Sequence, residues 1–533
     1  MKKLLISASV CLLSITALAQ TTQWHLLDKT DSTAGISVER TYRELLKDRK
    51  PTPVVVAVID GGIDTTHEDL RRVLWINPKE VAGNGKDDDK NGYVDDVHGW
   101  NFIGGKDGRN VTHETAEATR LYAQLKPNYE GKDRKSLKPD QQKEYDLYQK
   151  TKAEVEKSLA QNKAQYQSYR DIYAQYTGAF DRLKKGLNVS KLDTLTLRKA
   201  ADTLSNAALK RPVVSILSML RQQGIADTDG IVSELEKAVD HFKSRAEYSY
   251  NPEFDSRTIV GDNPNDLTQR DYGNADIAGE RPDHGTHVAG IIGADRTNNL
   301  GVMGVSDAVQ IMGVRAVPDG DERDKDVANA IRYAVDNGAQ IINMSFGKGY
   351  SPQRKAVEEA ERYALAKGVL LVQAAGNDGS NIDTAANYPS PRYMDGTTIP
   401  NVITVGASAR PGNDLVASFS NYGQKTVDVF APGRDIYSTV PGSKYENNSG
   451  TSMASPVVTG VAAVLKSYFP KLTYADIKRI ILQSATPYVV KVKRPESDVT
   501  VDFASLSKTG AVVNLYEAVK LAIAQEAASG KAK

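Results

Sequence analysis

Six apolar residues in a row, Val54 to Ile59, five of them β-branched, stop abruptly at Asp60 and two glycines. Nothing polar alternates within the run, so neither face of the strand it forms is made for water. Similar runs recur at 310–316, 339–345, 369–375, 402–407 and 427–432, and amphipathic helical stretches at 326–337 and 352–367 lie between them. Strands that alternate with helices in this way specify a parallel sheet covered on both faces. The expected fold is α/β, a three-layer sandwich with a mostly parallel central sheet. Asp60 then stands at the C-terminal end of a buried strand, where open α/β sheets bind ligands. Asp-Gly is also an ordinary turn pair.

A second stretch carries chemistry. Gly450-Thr451-Ser452-Met453-Ala454-Ser455-Pro456 precedes an apolar, proline-free run to Phe469. This reads as a helix start, with Pro456 in the first turn, where its missing N–H costs little. Ser452 at a helix N-terminus has free N–H groups and a partial positive charge beside it, which suits a developing oxyanion. Serine is also a common N-cap. A serine nucleophile needs a base, and the base needs an orienting carboxylate. Asp283-His284-Gly285-Thr286-His287-Val288-Ala289-Gly290 offers the base and Asp60 the carboxylate. Ala374-Ala375-Gly376-Asn377 offers a side-chain amide for the oxyanion, although Asn377 before Asp378-Gly379 also reads as a turn. His284 and His287 at i and i+3 fit a metal pair in spacing, but no third ligand presents itself.

Four stretches, around Asp60, His284, Asn377 and Ser452, closely resemble the subtilisin-like serine proteases, and their order along the chain is that family's order. The resemblance covers roughly residues 35–105 and 250–521. It implies a serine endopeptidase with Asp60, His284 and Ser452 as catalytic residues and Asn377 in the oxyanion hole. It also implies that Ser345, Phe346 and Gly347, with Ala374, Ala375 and Gly376, bind the substrate backbone. The rivals are a catalytically silent or narrowly specific processing protease whose insert binds a partner, and an esterase. The Asp-first order and the lack of a Gly-x-Ser-x-Gly elbow speak against an esterase.

Between Asp60 and His284 the chain departs from that pattern. Residues 106–255 read as an inserted helical subdomain that splits the peptidase domain into 20–105 and 256–525. No proline occurs between Asp140 and Arg211. Tyr148, Val155, Leu159, Tyr166, Tyr169, Tyr173, Tyr176, Phe180, Leu183 and Leu187 recur at helical spacing, as one face of a long amphipathic helix. Shorter helices are expected at 195–210, 213–223 and 231–248, punctuated by Pro212 and Gly224. The stripe serves either as the insert's own core or as a docking surface.

Residues 87–96 hold five aspartates, with Asp87, Asp89 and Asn91 alternating and Gly92 placed for a sharp turn. This matches the first half of an EF-hand-type calcium loop. Asp87, Asp89, Asn91 and Asp95 are the expected ligands of a structural Ca2+, and Asp69 resembles a calcium ligand of the family. His98 stands where a closing Glu belongs. No organic cofactor is expected.

The chain opens with Lys2 and Lys3, an apolar stretch and Ala17-Leu18-Ala19, the pattern of a signal peptide over 1–19. The expected location is periplasmic or extracellular, with no membrane span after signal removal. The sole cysteine, Cys11, lies inside that leader, so the rest of the chain forms no disulfide and is not a cysteine protease. About thirty residues separate the leader from the first strand, too few for a folded pro-domain. Residues 526–533 read as a flexible tail. With 68 basic and 67 acidic residues, the balanced charge gives no basic face for nucleic acid. Partners are expected to be protein or peptide substrates, and the oligomeric state is not legible.

Overall fold

The structure is a computed structural model and describes residues 23–28, 34–410 and 415–531. The expected leader at 1–19, with Cys11, lies outside the described residues. Two compact units emerge, Met1–Thr112 with Ser256–Lys533 and His113–Asp255.

The larger unit is built on a nine-stranded sheet. Seven of its strands are β1 (Val54–Asp60), β2 (Gly99–Asn101), β3 (Val309–Arg315), β4 (Ile341–Met344), β5 (Leu370–Ala374), β6 (Val402–Ser408) and β7 (Val429–Pro432). They run β7-β6-β5-β4-β1-β3-β2 across the sheet, every pair parallel. Ala511–Val512 adds a parallel pairing outside β7, and Thr486–Pro487 an antiparallel one at the edge. The mostly parallel sheet expected from the sequence is therefore present.

Period-two packing explains the three layers. Val54, Val56 and Val58 enter one core, with helices Asp283–Gly293 and Thr451–Tyr468. Ala57 and Ile59 point the other way, into a core shared with helices Asp324–Asp336 and Arg354–Ala366. β1 lies between β3 and β4, so chain order reverses beside it. That reversal opens a crevice at the C-terminal ends of β1 and β4. Ile59 is level with Met344, so Asp60 and Ser345 leave the sheet side by side.

The smaller unit is helical. One helix, Pro139–Leu187, runs for 49 residues, with Pro at its start and Asn188 in the left-handed conformation at its end. Phe180 and Leu183 join Leu197, Val213, Leu220 and Ile231 in a core of the unit's own. Tyr169 stacks on Phe242 at 5.1 Å, and Tyr176 meets Phe180 edge-on at 5.7 Å. This part of the aromatic stripe is internal packing.

Three expected boundaries move. The insert begins at His113 rather than near 106, because Val111 is buried in a core of the larger unit and its N–H bonds the Ile103 carbonyl. Pro212 does not separate two helices. The break falls earlier, where Asn206 caps helix Ala207–Gln223 through the Ala208 N–H, and Pro212 sits inside that helix. The tail expected at 526–533 is largely helical, since Leu515–Lys531 is one helix and Glu526 pairs with Arg49 at 2.9 Å.

Glu361, on helix Arg354–Ala366, is 4% exposed, and its Oε1 finds no hydrogen-bond partner. Burial pushes its carboxyl up to about 8, against the opposing pull of Arg354. The folded state thus holds a proton that the unfolded state releases near 4.5, so stability falls as pH rises between those values. Glu361→Gln should stabilise the protein by roughly 1–3 kcal/mol at pH 8 and leave it unchanged at pH 4, as read by urea unfolding at both pH values.

Candidate active site

Asp60 ends β1 and is 2% exposed. Its Oδ1 accepts from the Gly61 N–H at 2.7 Å. His284, one residue into helix Asp283–Gly293, brings Nδ1 to 2.8 Å and 3.0 Å from the two Asp60 oxygens. The close approach depends on Gly285. A Cβ there would fall 2.2 Å from the Gly62 carbonyl oxygen and 3.0 Å from the Asp60 Cβ, so any side chain would push the helix off the strand. Burial lowers the His284 pKa, but the Asp60 charge and hydrogen bond outweigh it and raise it above the ordinary histidine value.

Ser452 stands in the first turn of helix Thr451–Tyr468. Its hydroxyl donates to the Ser345 carbonyl at 3.1 Å rather than to His284. Ser345 and His284 line one cavity of about 330 Å³ together with Asp60, Thr112, Val317 and Pro318. The helix starts earlier than its sequence suggested, so Pro456 falls in the second turn, not the first.

Asn377 lies exposed just beyond β5. Its Oδ1 accepts from the Thr451 N–H and hydroxyl, both at 2.9 Å, and the Thr451 hydroxyl accepts from the Gly376 N–H at 3.1 Å. Tying down Oδ1 leaves Nδ2 as the outward donor. A Cβ built on Gly450 would lie 3.5 Å from Asn377 Nδ2 and 3.6 Å from the Ser452 nitrogen, so both donors border the same small space. In the first helical turn the Ser452 N–H has no intrahelical acceptor. Such a pair of donors can hold a developing oxyanion.

The expected substrate edges flank this space. Ser345, Phe346 and Gly347 continue from β4, running from buried to half-buried to exposed. Ala374 closes β5, Ala375 lies buried beyond it, and Gly376 turns at φ +98°.

In the acidic loop two of the expected ligands, Asp87 and Asp89, come together with a third carboxylate. Glu80, Asp87 and Asp89 bring ligand oxygens within 4.8 Å of one another. Glu80 was not legible from the spacing, because it comes from upstream of the loop. The downstream closing position, His98, instead bonds the Trp75 carbonyl at 2.8 Å. Asn91 is committed to Asp96 through Nδ2 and to the Tyr93 N–H through Oδ1. Asp95 caps the N–H groups of Asn84 and Gly85. Asp69 lies elsewhere, accepting from Asn298 Nδ2 at 2.5 Å and the Val302 N–H at 3.0 Å. The hard oxygen set of Glu80, Asp87 and Asp89 suits Ca2+, and the buried Glu80 Oε2 has no hydrogen-bond donor to satisfy it.

The model of the subtilase family matches residues 52–511. The chain belongs to the subtilase family. A thermophilic serine proteinase of Bacillus sp. (strain AK1) is 42% identical over 218 residues, 41% of this subtilase and 49% of that protein. Thermitase of Thermoactinomyces vulgaris is 43% identical over 185 residues, 34% of this chain and 61% of thermitase. Subtilisin BL of Lederbergia lenta is 38% identical over 205 residues, 38% of this chain and 70% of subtilisin BL. The subtilase thus spans about half of the Bacillus proteinase and about three fifths of thermitase.

His287, one helical turn after His284, serves structure rather than a metal pair. It is fully buried and its Nε2 meets the Glu446 carbonyl at 3.2 Å. Burial lowers it to about 4, and lowers His25, also fully buried, to about 3. Both stay neutral in the fold and take protons on unfolding below about pH 6.5, so stability is lost as pH falls through that window. Each histidine should contribute a slope of about 1.4 kcal/mol per pH unit between pH 6 and 4.5. Urea titrations of the wild type and His25→Phe should differ by that slope.

Proposed function

We propose that this subtilase is an exported serine endopeptidase working through an acyl-enzyme. The observation that carries the reading is the His284–Asp60 contact of 2.8 Å at the rim where Ser452 and the Asn377 amide also stand. Attack requires the Ser452 hydroxyl to turn from the Ser345 carbonyl to the free Nε2 of His284, which takes its proton. The Ser452 oxygen bonds to the peptide carbonyl carbon, and the oxyanion is held by Asn377 Nδ2 and the Ser452 N–H. His284 returns the proton to the leaving amine, and water then releases the acyl group. Asp60 fixes the imidazole tautomer and stabilises its charged form. Substrate backbone adds to the edges at Ser345–Gly347 and Ala374–Gly376. Among the described residues no helix is long and apolar enough to cross a membrane. The leader sequence supports export.

A fluorophosphonate probe should label the wild type and not Ser452→Ala, and casein hydrolysis should vanish with the label. Asn377→Ala should lower kcat by about 10²–10³ with little change in KM. Labelling that survives in Ser452→Ala would overturn the assignment. His284 must be neutral to act, and its pKa is raised, so kcat/KM should fall on acidification with a midpoint above 6.5.

We also infer a structural Ca2+ held by Glu80, Asp87 and Asp89. Calcium a hundredfold above its Kd should stabilise the fold by about 3 kcal/mol. Chelation should lower Tm in the wild type, and Glu80→Gln should remove part of that response. An identical chelator shift in the variant would rule this site out.

A further inference from the structure

β4 is buried along its whole length, and three of its four residues are apolar. Asn343 is the fourth, with no exposed surface. A buried amide is costly unless both its ends are bonded. Its Oδ1 accepts from the hydroxyls of Ser455 at 3.0 Å and Thr459 at 2.9 Å, one turn apart on the helix that carries Ser452. Those bonds fix which way the amide faces, so Nδ2 points along the strand and donates to Ser345 Oγ at 2.9 Å.

With that lone pair occupied, the Ser345 hydroxyl donates to the Ser452 carbonyl at 2.9 Å. This carbonyl needs an outside donor. In a regular helix it would accept from the N–H four residues on, but that residue is Pro456, which has none. Ser345 also accepts from the Ser452 hydroxyl through its own carbonyl at 3.1 Å. Ser452 is therefore tied to Ser345 at both its backbone and its side chain, and the direction of the Ser345 hydroxyl is set by Asn343.

We propose that Asn343 is a positioning residue that orients the Ser452 nucleophile through the Ser345 hydroxyl and the carbonyl freed by Pro456. The inference rests on the reading of Ser452 as nucleophile. Asn343 touches neither substrate nor reacting atoms. It must be an amide because it has to accept on one side and donate on the other. An ionised carboxylate of the same shape would accept from Ser345 and pull its hydroxyl away from the Ser452 carbonyl.

The test compares wild type, Asn343→Asp, Ser345→Ala and the double variant. The readouts are active-site titration, kcat and KM on one peptide amide, the fluorophosphonate labelling rate, and Tm. Losing the bond should lower kcat and the labelling rate of Asn343→Asp by about five- to tenfold per titrated site, with KM within twofold. In the Ser345→Ala background, where the relay is already cut, Asn343→Asp should change kcat by less than twofold. Multiplicative effects in the double variant would overturn the relay, as would a loss confined to Tm with kcat per site unchanged. If Asn343→Asp does not fold, Ser345→Ala alone decides. Its kcat must fall by a similar factor at constant KM, and an unchanged kcat rejects the proposal. A wild type that takes no label at all would instead sink the catalytic reading itself.

Discussion

Everything functional in the larger unit depends on parallel strands that all end on one side of the sheet. β1 and β4 are neighbours that run in register, so the residues just past Ile59 and Met344 emerge together. Asp60 and Ser345 therefore meet without any loop having to reach across the molecule. Two helices of the same layer then deliver His284 and Ser452 from their first turns, where backbone N–H groups are free. Rigid elements, not loops, hold three of the four principal side chains, and this favours a site that is set before substrate arrives. Asn377 alone sits on a loop, and Thr451 anchors it from two sides.

The alternation of apolar runs with helical stretches was enough to read the layers, because a strand buried on both faces tolerates almost no polar residue. The places of Asp60, His284 and Ser452 were legible because each ends a strand or opens a helix whose pattern is strong and fits the family resemblance, whereas Asn377, on a loop past β5, was legible through that resemblance alone. Asn343 was not legible. Inside an apolar strand a lone amide looks like a packing exception, and its meaning comes only from hydroxyls more than a hundred positions away. Glu80 was missed because calcium-loop spacing directs attention downstream, whereas the chain folds an upstream carboxylate into the group. Pro212 misled in the opposite direction. Asn206 caps the helix and so decides where it begins, while Pro212 is carried inside it without the backbone donor that position would otherwise supply.

Buried titratable groups pull the two ends of the pH scale against each other. Glu361 weakens the fold as the medium turns alkaline, and His25 with His287 weaken it as the medium turns acid. These three groups balance near pH 6.5, the ordinary histidine value, while His284 needs to be deprotonated for work. The optimum for persistence and the optimum for turnover need not coincide in this molecule.

The central place of β1 has a consequence for biosynthesis. Both its hydrogen-bonding neighbours, β3 and β4, lie about 250 residues or more further along the chain. At translation speeds of about 5–20 residues per second, this greasy segment waits some ten seconds to a minute with both edges unsatisfied. The helical insert is synthesised during that interval and has its own core to collapse around. The nascent chain thus presents a sticky, unpaired ribbon ahead of a self-contained bundle, the situation in which a holdase that shields extended apolar segments is most useful.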